Sequence, residues 1–124
     1  MVTGDVLLPL SLSLRREQGW SVLDVSGQVS LATRVELAGY LGRLAAARAP
    51  ARIVVDVSNV AVCDAVGLGA LWAAHVRATQ RPGDELRLVC GESRMLRILD
   101  VSGVGRAVPV FRTVGEALQS GAPE

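Results

Sequence analysis

The sequence predicts an α/β fold, a mixed and mostly parallel sheet with an N-terminal antiparallel hairpin and about four helices, on three observations. Ile53, Val54, Val55 and Val57 form a nearly continuous β-branched run. Such a run suits a strand buried on both faces of a parallel sheet. Leu10, Leu12 and Leu14 alternate with Ser11, Ser13 and Arg15, and a short turn at Glu17-Gln18-Gly19 leads into a second apolar stretch. Strict alternation followed by a glycine-containing turn marks a hairpin at a sheet edge. Beyond residue 33, helical and extended patterns alternate, which calls for parallel strands joined by right-handed crossovers.

The elements follow in order. Residues 1–7 are expected to be a loose terminus, and Leu8 to Arg16 the first strand. Trp20 to Val25 is the second strand, with Trp20, Val22 and Asp24 on one side and Leu23 and Val25 flanking them. Ser26 to Ser30 reads as a loop. Thr33 and Glu36 have capping-box spacing ahead of Leu37, Leu41, Leu44 and Ala45, a helix that Pro50 brings to an end. Arg52 to Ser58 is the central strand and Asn59 to Cys63 a turn. Asp64 stands at the N-cap of the central helix, able to accept from the N–H of Val66 or Gly67. Leu68, Leu71, Trp72 and Val76 share one face of that helix. Gln80 to Asp84 is a turn and Leu86 to Cys90 a strand. Ser93 caps a short helix that Gly103 terminates in the left-handed conformation. Val108 to Phe111 is the last strand. Thr113 and Glu116 open a final helix through Leu118 with a second capping box. One domain over residues 8–119 accounts for the chain, with 120–124 a loose end.

Composition narrows the function. The chain has 124 residues, half of them hydrophobic, with 13 basic and 12 acidic side chains and a net charge of +1. That balance argues against nucleic acid, which needs a basic excess on one face. Trp20, Tyr40, Trp72 and Phe111 are too few for base-stacking platforms. Cys63 and Cys90 make neither a disulfide framework nor a zinc site, although both sit near strand ends and so close to one another in this reading. They are expected to be free thiols. No positive charge precedes an apolar run near the start, and the longest apolar run, Ala65 to Ala74, is too short for a bilayer. The expectation is a cytoplasmic protein without membrane insertion.

No catalytic constellation appears. His75 is the only histidine and has no clustered acid or thiol in sequence, so it reads as a boundary histidine rather than a catalyst. Arg94 and Arg97 fall on the outer side of the short third helix, where a solvated face explains them. Asp64 can be a plain cap, a partner contact, or both. Gly67 and Gly69 are costly in a helix and point to close packing of helix on sheet, with approach by a partner's backbone as the alternative. Neither belongs to a phosphate-cradling loop. No metal or cofactor is expected.

Several stretches carry a resemblance to a known family. Val54-Val-Asp-Val-Ser-Asn-Val60, Asp64-Ala-Val-Gly-Leu-Gly69, Leu99-Asp-Val-Ser-Gly-Val104 and the turn Ser26-Gly27-Gln28-Val29 occur in the order and spacing of a STAS domain, over about Leu10 to Leu118. The chain resembles the free-standing anti-sigma factor antagonists in particular. The resemblance implies a non-enzymatic bacterial signalling module in transcription regulation. Its implied partner is an anti-sigma factor or a related GHKL-type kinase-fold protein, met through Ser30, Asp64, Ala65, Val66, Gly67 and Leu68. In such antagonists the loop reads Asp-Ser-Ser-Gly and the second serine is phosphorylated by the partner. Here Asp64 and Gly67 are kept, while Ala65 and Val66 replace the serines. No phosphorylation is therefore expected at Val66. An alternative stays open: a STAS subunit of a larger transporter-associated or stress-signalling assembly, or a ligand-sensing module. A homodimer is an open possibility in either case.

Overall fold

The computed structural model describes residues 9–119. Leu8 of the expected first strand, and the terminal stretches 1–7 and 120–124, lie outside the described residues. The strands are β1 Leu10–Glu17, β2 Trp20–Val29, β3 Arg52–Cys63, β4 Glu85–Val89 and β5 Val110–Phe111. The helices are α1 Arg34–Ala47, α2 Ala65–Ala78, α3 Arg94–Ser102, α4 Val104–Ala107 and α5 Val114–Gln119. The five strands form one sheet in the order β1-β2-β3-β4-β5. β1 and β2 are antiparallel, and the other neighbours are parallel.

The sheet buries both faces, and β3 shows why its sequence is so apolar. Ile53, Val55 and Val57 face a core shared with Leu23, Val25 and Leu88 and covered by Leu37 and Leu41 of α1, Leu71 of α2 and Met95 and Leu99 of α3. Val54 faces the other way, into a smaller cluster with Trp20, Val22, Val89 and the α5 residues Ala117 and Leu118. Full burial of each such aliphatic side chain contributes about 1.5–3 kcal/mol. Arg87 is also buried on this second face. It lies over the rings of Trp20 and Phe111, at 4.6 and 5.6 Å, pairs with Glu85 at 2.7 Å and donates to the Ala117 carbonyl.

Two strands run further than their sequence suggests. Ser26 to Val29 and Asn59 to Cys63, read as a loop and a turn, are extended and pair with one another: Ser26 with Asn59, Gly27 with Val60, Gln28 with Val62 and Val29 with Cys63. The ladder shifts register twice on the way. Gly27 explains the misleading signal. Its φ is +88°, and a Cβ there would overlap the Pro9 carbonyl oxygen. The glycine marks a close backbone approach inside an irregular strand and not its end.

Helix ends divide in the same way. Asp64 accepts from the Gly67 N–H at 2.7 Å and caps α2 as expected. Gly103 ends α3 with φ +88°. Thr113 Oγ1 accepts from the Glu116 N–H at 3.1 Å, while the Glu116 carboxylate reaches the Arg112 N–H, one residue before the usual partner. Thr33 is the N-cap of α1 but its side chain makes no cap bond, because it is engaged in the preceding loop. Ser93 likewise makes no cap bond, and its hydroxyl lies 3.5 Å from Cys90 Sγ. The short helix α4 is an addition. It takes up the chain after Gly103, with Arg106 and Val108 N–H bonded to the carbonyls of Gly103 and Val104. The last strand consequently starts at Val110, not Val108.

The inner face of α2 is Gly67, Leu71, Ala74 and Ala78. Trp72 and Val76, expected beside Leu71 in the core, are 43% and 39% exposed, and Leu68 is half-buried. Small residues let this helix lie close to its support. With no charge from Ala65 to Ala74, periodicity could not tell the inner face from the outer. Cys63 and Cys90 are free but not neighbours. The β3–β4 ladder ends at Asp56 with Val89, so Cys63 lies six residues, about 20 Å, further along its strand than Cys90.

Candidate functional site

Both crossings from strand to helix on the larger core face, β2 to α1 and β3 to α2, emerge at the carboxyl end of the sheet. Asp64 joins them. Its Oδ1 accepts from the Gly67 N–H, and its Oδ2 accepts from the Leu31 N–H at 3.1 Å. Its own N–H donates to the Val29 carbonyl at 3.3 Å. One carboxylate thus caps α2 and pins the loop before α1. The N–H groups of Gly67, Leu31 and Val66 hold its pKa below the ordinary carboxylate range.

The loop before α1 is also closed on itself. Ser30 is buried, 3% exposed. Its Oγ accepts from the Gln28 side-chain amide and from the Ala32 N–H, and its N–H donates to Thr33 Oγ1 at 3.0 Å. Thr33 Oγ1 in turn donates to the Gln28 carbonyl at 2.8 Å. Gly67 sits directly against this loop. A Cβ at Gly67 would overlap the Val29 carbonyl oxygen and crowd the Ser30 nitrogen. Gly69, two residues on, faces open space. The two glycines that looked alike in sequence have different reasons.

The six expected site residues therefore come together in unequal positions. Asp64, Ala65 and Val66 are exposed, Leu68 is half-buried, and Ser30 and Gly67 form the buried floor. Three exposed residues of the same crossings were missed: Leu31 at 62%, Val35 at 75% and Val62 at 46%. With Val66 at 40%, they leave large apolar side chains in water at the loop tips. The sequence does not single them out: Val62 stands among Val60, Ala61 and Cys63, and Leu31 lies between Ser30 and Ala32. Asn59 to Cys63 reads as a turn, and Leu31 falls just beyond the loop read at Ser26 to Ser30.

One other titratable group, Cys63, adjoins the site, and a second, His75, lies further along α2. Burial, then the Asp64 charge, pushes the Cys63 thiol up to about 11, so it is protonated at neutral pH. Half-buried beside Thr79, Leu86 and Pro109, away from the loop tips, His75 stacks on Trp72 with ring centroids 5.7 Å apart. Its Nδ1 is enclosed without a hydrogen-bond partner among the described residues, and burial lowers its pKa. Among the described residues there is no group of three or more potential metal ligands and no helix long and apolar enough to cross a membrane. What the loop tips offer is shape and apolar surface around one fixed carboxylate.

These features define a class: a mixed-sheet α/β module with apolar strand-to-helix loops bound together at the carboxyl end of its sheet. The model of the STAS domain family matches residues 11–117, and the chain belongs to that family. Among solved structures it is similar to an anti-sigma factor antagonist from Mycobacterium paratuberculosis, at 26% identity and TM-score 0.78, covering 89% of this chain and 92% of that one. It is also similar in fold to a putative anti-sigma factor antagonist from Thermotoga maritima, at 15% identity and TM-score 0.72, covering 87% and 92%. A sulfate transporter family protein from Wolinella succinogenes shares the fold at 21% identity and TM-score 0.64, covering 94% and 89%. No curated protein sequence matches the chain.

Proposed function

We propose that this chain is a non-enzymatic interaction module of the anti-sigma factor antagonist kind, acting in the bacterial cytoplasm without a cofactor. Its partner would be an anti-sigma factor or a related GHKL-type kinase-fold protein. The observation that carries the proposal is the Asp64 bridge. It fixes the two loops to one another and holds Leu31, Val62 and Val66 out in solvent. Ordered apolar groups on a rigid support bind at low entropic cost, which a partner can use and water cannot. The likeness to the Mycobacterium antagonist supports the partner class.

The module would not be switched by phosphate on this loop. A phosphoryl group adds about −1.5 to −2 charges, and the start of α2 would stabilise it. Ala65 and Val66 have no hydroxyl to accept it. Ser30 Oγ is buried and bonded, and Ser58 Oγ accepts from the Gly91 N–H at 2.9 Å. Incubation with ATP and a candidate partner kinase, with phosphate mapped by mass spectrometry, tests this. Wild type should stay unmodified, and the Ala65→Ser, Val66→Ser variant should become a substrate. Stoichiometric phosphate on Ser30 or Ser58 of wild type would overturn it.

The second reading, a STAS subunit in a transporter-associated or other larger assembly, draws on the fold shared with the Wolinella protein. Failure of the double serine variant to accept phosphate from any such kinase would favour it.

A further inference from the structure

The opposite end of the sheet, where β2, β3 and β4 begin, has a different character. All 13 basic residues of the chain are arginines, and Arg43, Arg48, Arg52 and Arg77 lie exposed toward this end. Three of them are linked through shared surroundings. Arg48 and Arg52 border one shallow hollow with Gly19 and Pro50, and Arg77 and Arg81 border another with Gly42 and Ala45. Arg81 ties the two together by donating to the Arg48 carbonyl at 3.0 Å.

The acids of this end are already taken. Glu17 pairs with Arg15, Asp84 with Arg81 and Glu85 with Arg87. No described carboxylate pairs with Arg43, Arg48, Arg52 or Arg77; Arg43 and Arg52 lie over the rings of Tyr40 and Trp20. Nor are Arg48 and Arg77 needed to satisfy the helix ends nearby. The Ala45 and Arg48 carbonyls accept from Arg81, the His75 carbonyl from Thr79 and the Val76 carbonyl from Gln80.

We infer that this arginine end is a second interaction surface, and that it takes a carboxylate-rich segment of a protein partner. Guanidinium forks match carboxylates two bonds at a time. Nucleic acid fits less well, because among the described residues the rings beside these arginines are Trp20, which is buried, and Tyr40, which is half-buried beside Arg43. A membrane fits less well too, because Leu31, Val35, Val62 and Val66 cluster at the other end and could not be buried in the same approach.

The test uses the full chain and a fluorescein-labelled oligoglutamate peptide, followed by fluorescence anisotropy at about 50 mM salt, where surface charge is weakly screened. Binding is expected. It should weaken about tenfold or more in Arg48→Glu, Arg77→Glu, and also in the neutral Arg48→Gln, Arg77→Gln, which guards against misfolding of the first variant. Val66→Asp, at the other end, should leave it unchanged. Absent peptide binding, or undiminished binding by the neutral variant, would overturn the inference. Tighter binding to an oligothymidine of equal charge, or to phosphatidylglycerol vesicles, would overturn it in favour of those partners.

Discussion

Asp64 and Asp84 perform the same task at opposite ends of the sheet with different results. Asp64 gives both oxygens to backbone N–H groups, those of Gly67 and Leu31. Asp84 gives Oδ1 to the Ala51 N–H at 2.7 Å and Oδ2 to the backbone and side chain of Arg81. Each ties down a segment 33 residues earlier in the chain. The first clamp leaves apolar side chains around an exposed carboxylate. The second seals its carboxylate, 1% exposed, beneath Arg81. A fold that is locked by similar devices at both ends can thus present an apolar surface at one and a cationic surface at the other.

The sharpest way to break the carboxyl-end arrangement is to remove its closest backbone approach. Gly67→Ala should lower stability by roughly 1–3 kcal/mol, read by urea denaturation, although alanine favours a helix by about 1 kcal/mol. Gly69→Ala, on the same helix in open space, should raise stability by up to about 1 kcal/mol. Equal effects from the two would dissolve the distinction between floor and surface.

Acid sharpens the comparison next. Asp64 is held below the carboxylate range by its backbone bonds. At Asp84, burial pushes the pKa up, but the bonds from Ala51 and Arg81 outweigh it and hold it low. A folded pKa below the unfolded value, about 3.9 for aspartate, gives stability that is present above pH 4 and lost as pH falls through the depressed value. Thermal melts between pH 5 and pH 2 should therefore show Asp64→Asn and Asp84→Asn each less stable at the upper limit and each with a shallower fall. Parallel curves would show that neither clamp carries the acid sensitivity.

The smallest effect is expected from His75. Burial lowers its pKa, so the unfolded chain binds the proton more tightly, and stability should decline as pH falls below about 6.5. His75→Gln should flatten that decline in the same melts. An unchanged slope would mean that His75 does not resist protonation in the fold.

Much of this was legible in the sequence, for identifiable reasons. The β-branched run of β3 reports burial directly, the leucine alternation of β1 gives an edge strand half-buried at Leu10 and Leu12 but exposed at Leu14, and Asp64 and Gly103 are residues whose chemistry suits one place in a helix. Thr33 and Ser93 have the same cap chemistry, but their hydroxyls are claimed by the Gln28 carbonyl and by Cys90. Those competitors are supplied by tertiary structure. The extensions of β2 and β3 were hidden because strand pairing, which is non-local, makes Ser26 to Gln28 extended despite their turn-like composition. At the site, the motif around Asp64 was visible. The link to Leu31 across 33 residues, and with it the exposed Leu31 and Val62, was not.

Calorimetric titration of a candidate anti-sigma factor with wild type and with Val66→Asp tests the role of the loop tips most directly. Val66 is exposed at the start of α2, where an added aspartate suits the helix dipole, so the variant should melt within a few degrees of wild type. Wild type should bind and Val66→Asp should not, because the partner would have to bury a new charge against an apolar surface. Equal binding by the two proteins would place the interaction elsewhere on the molecule.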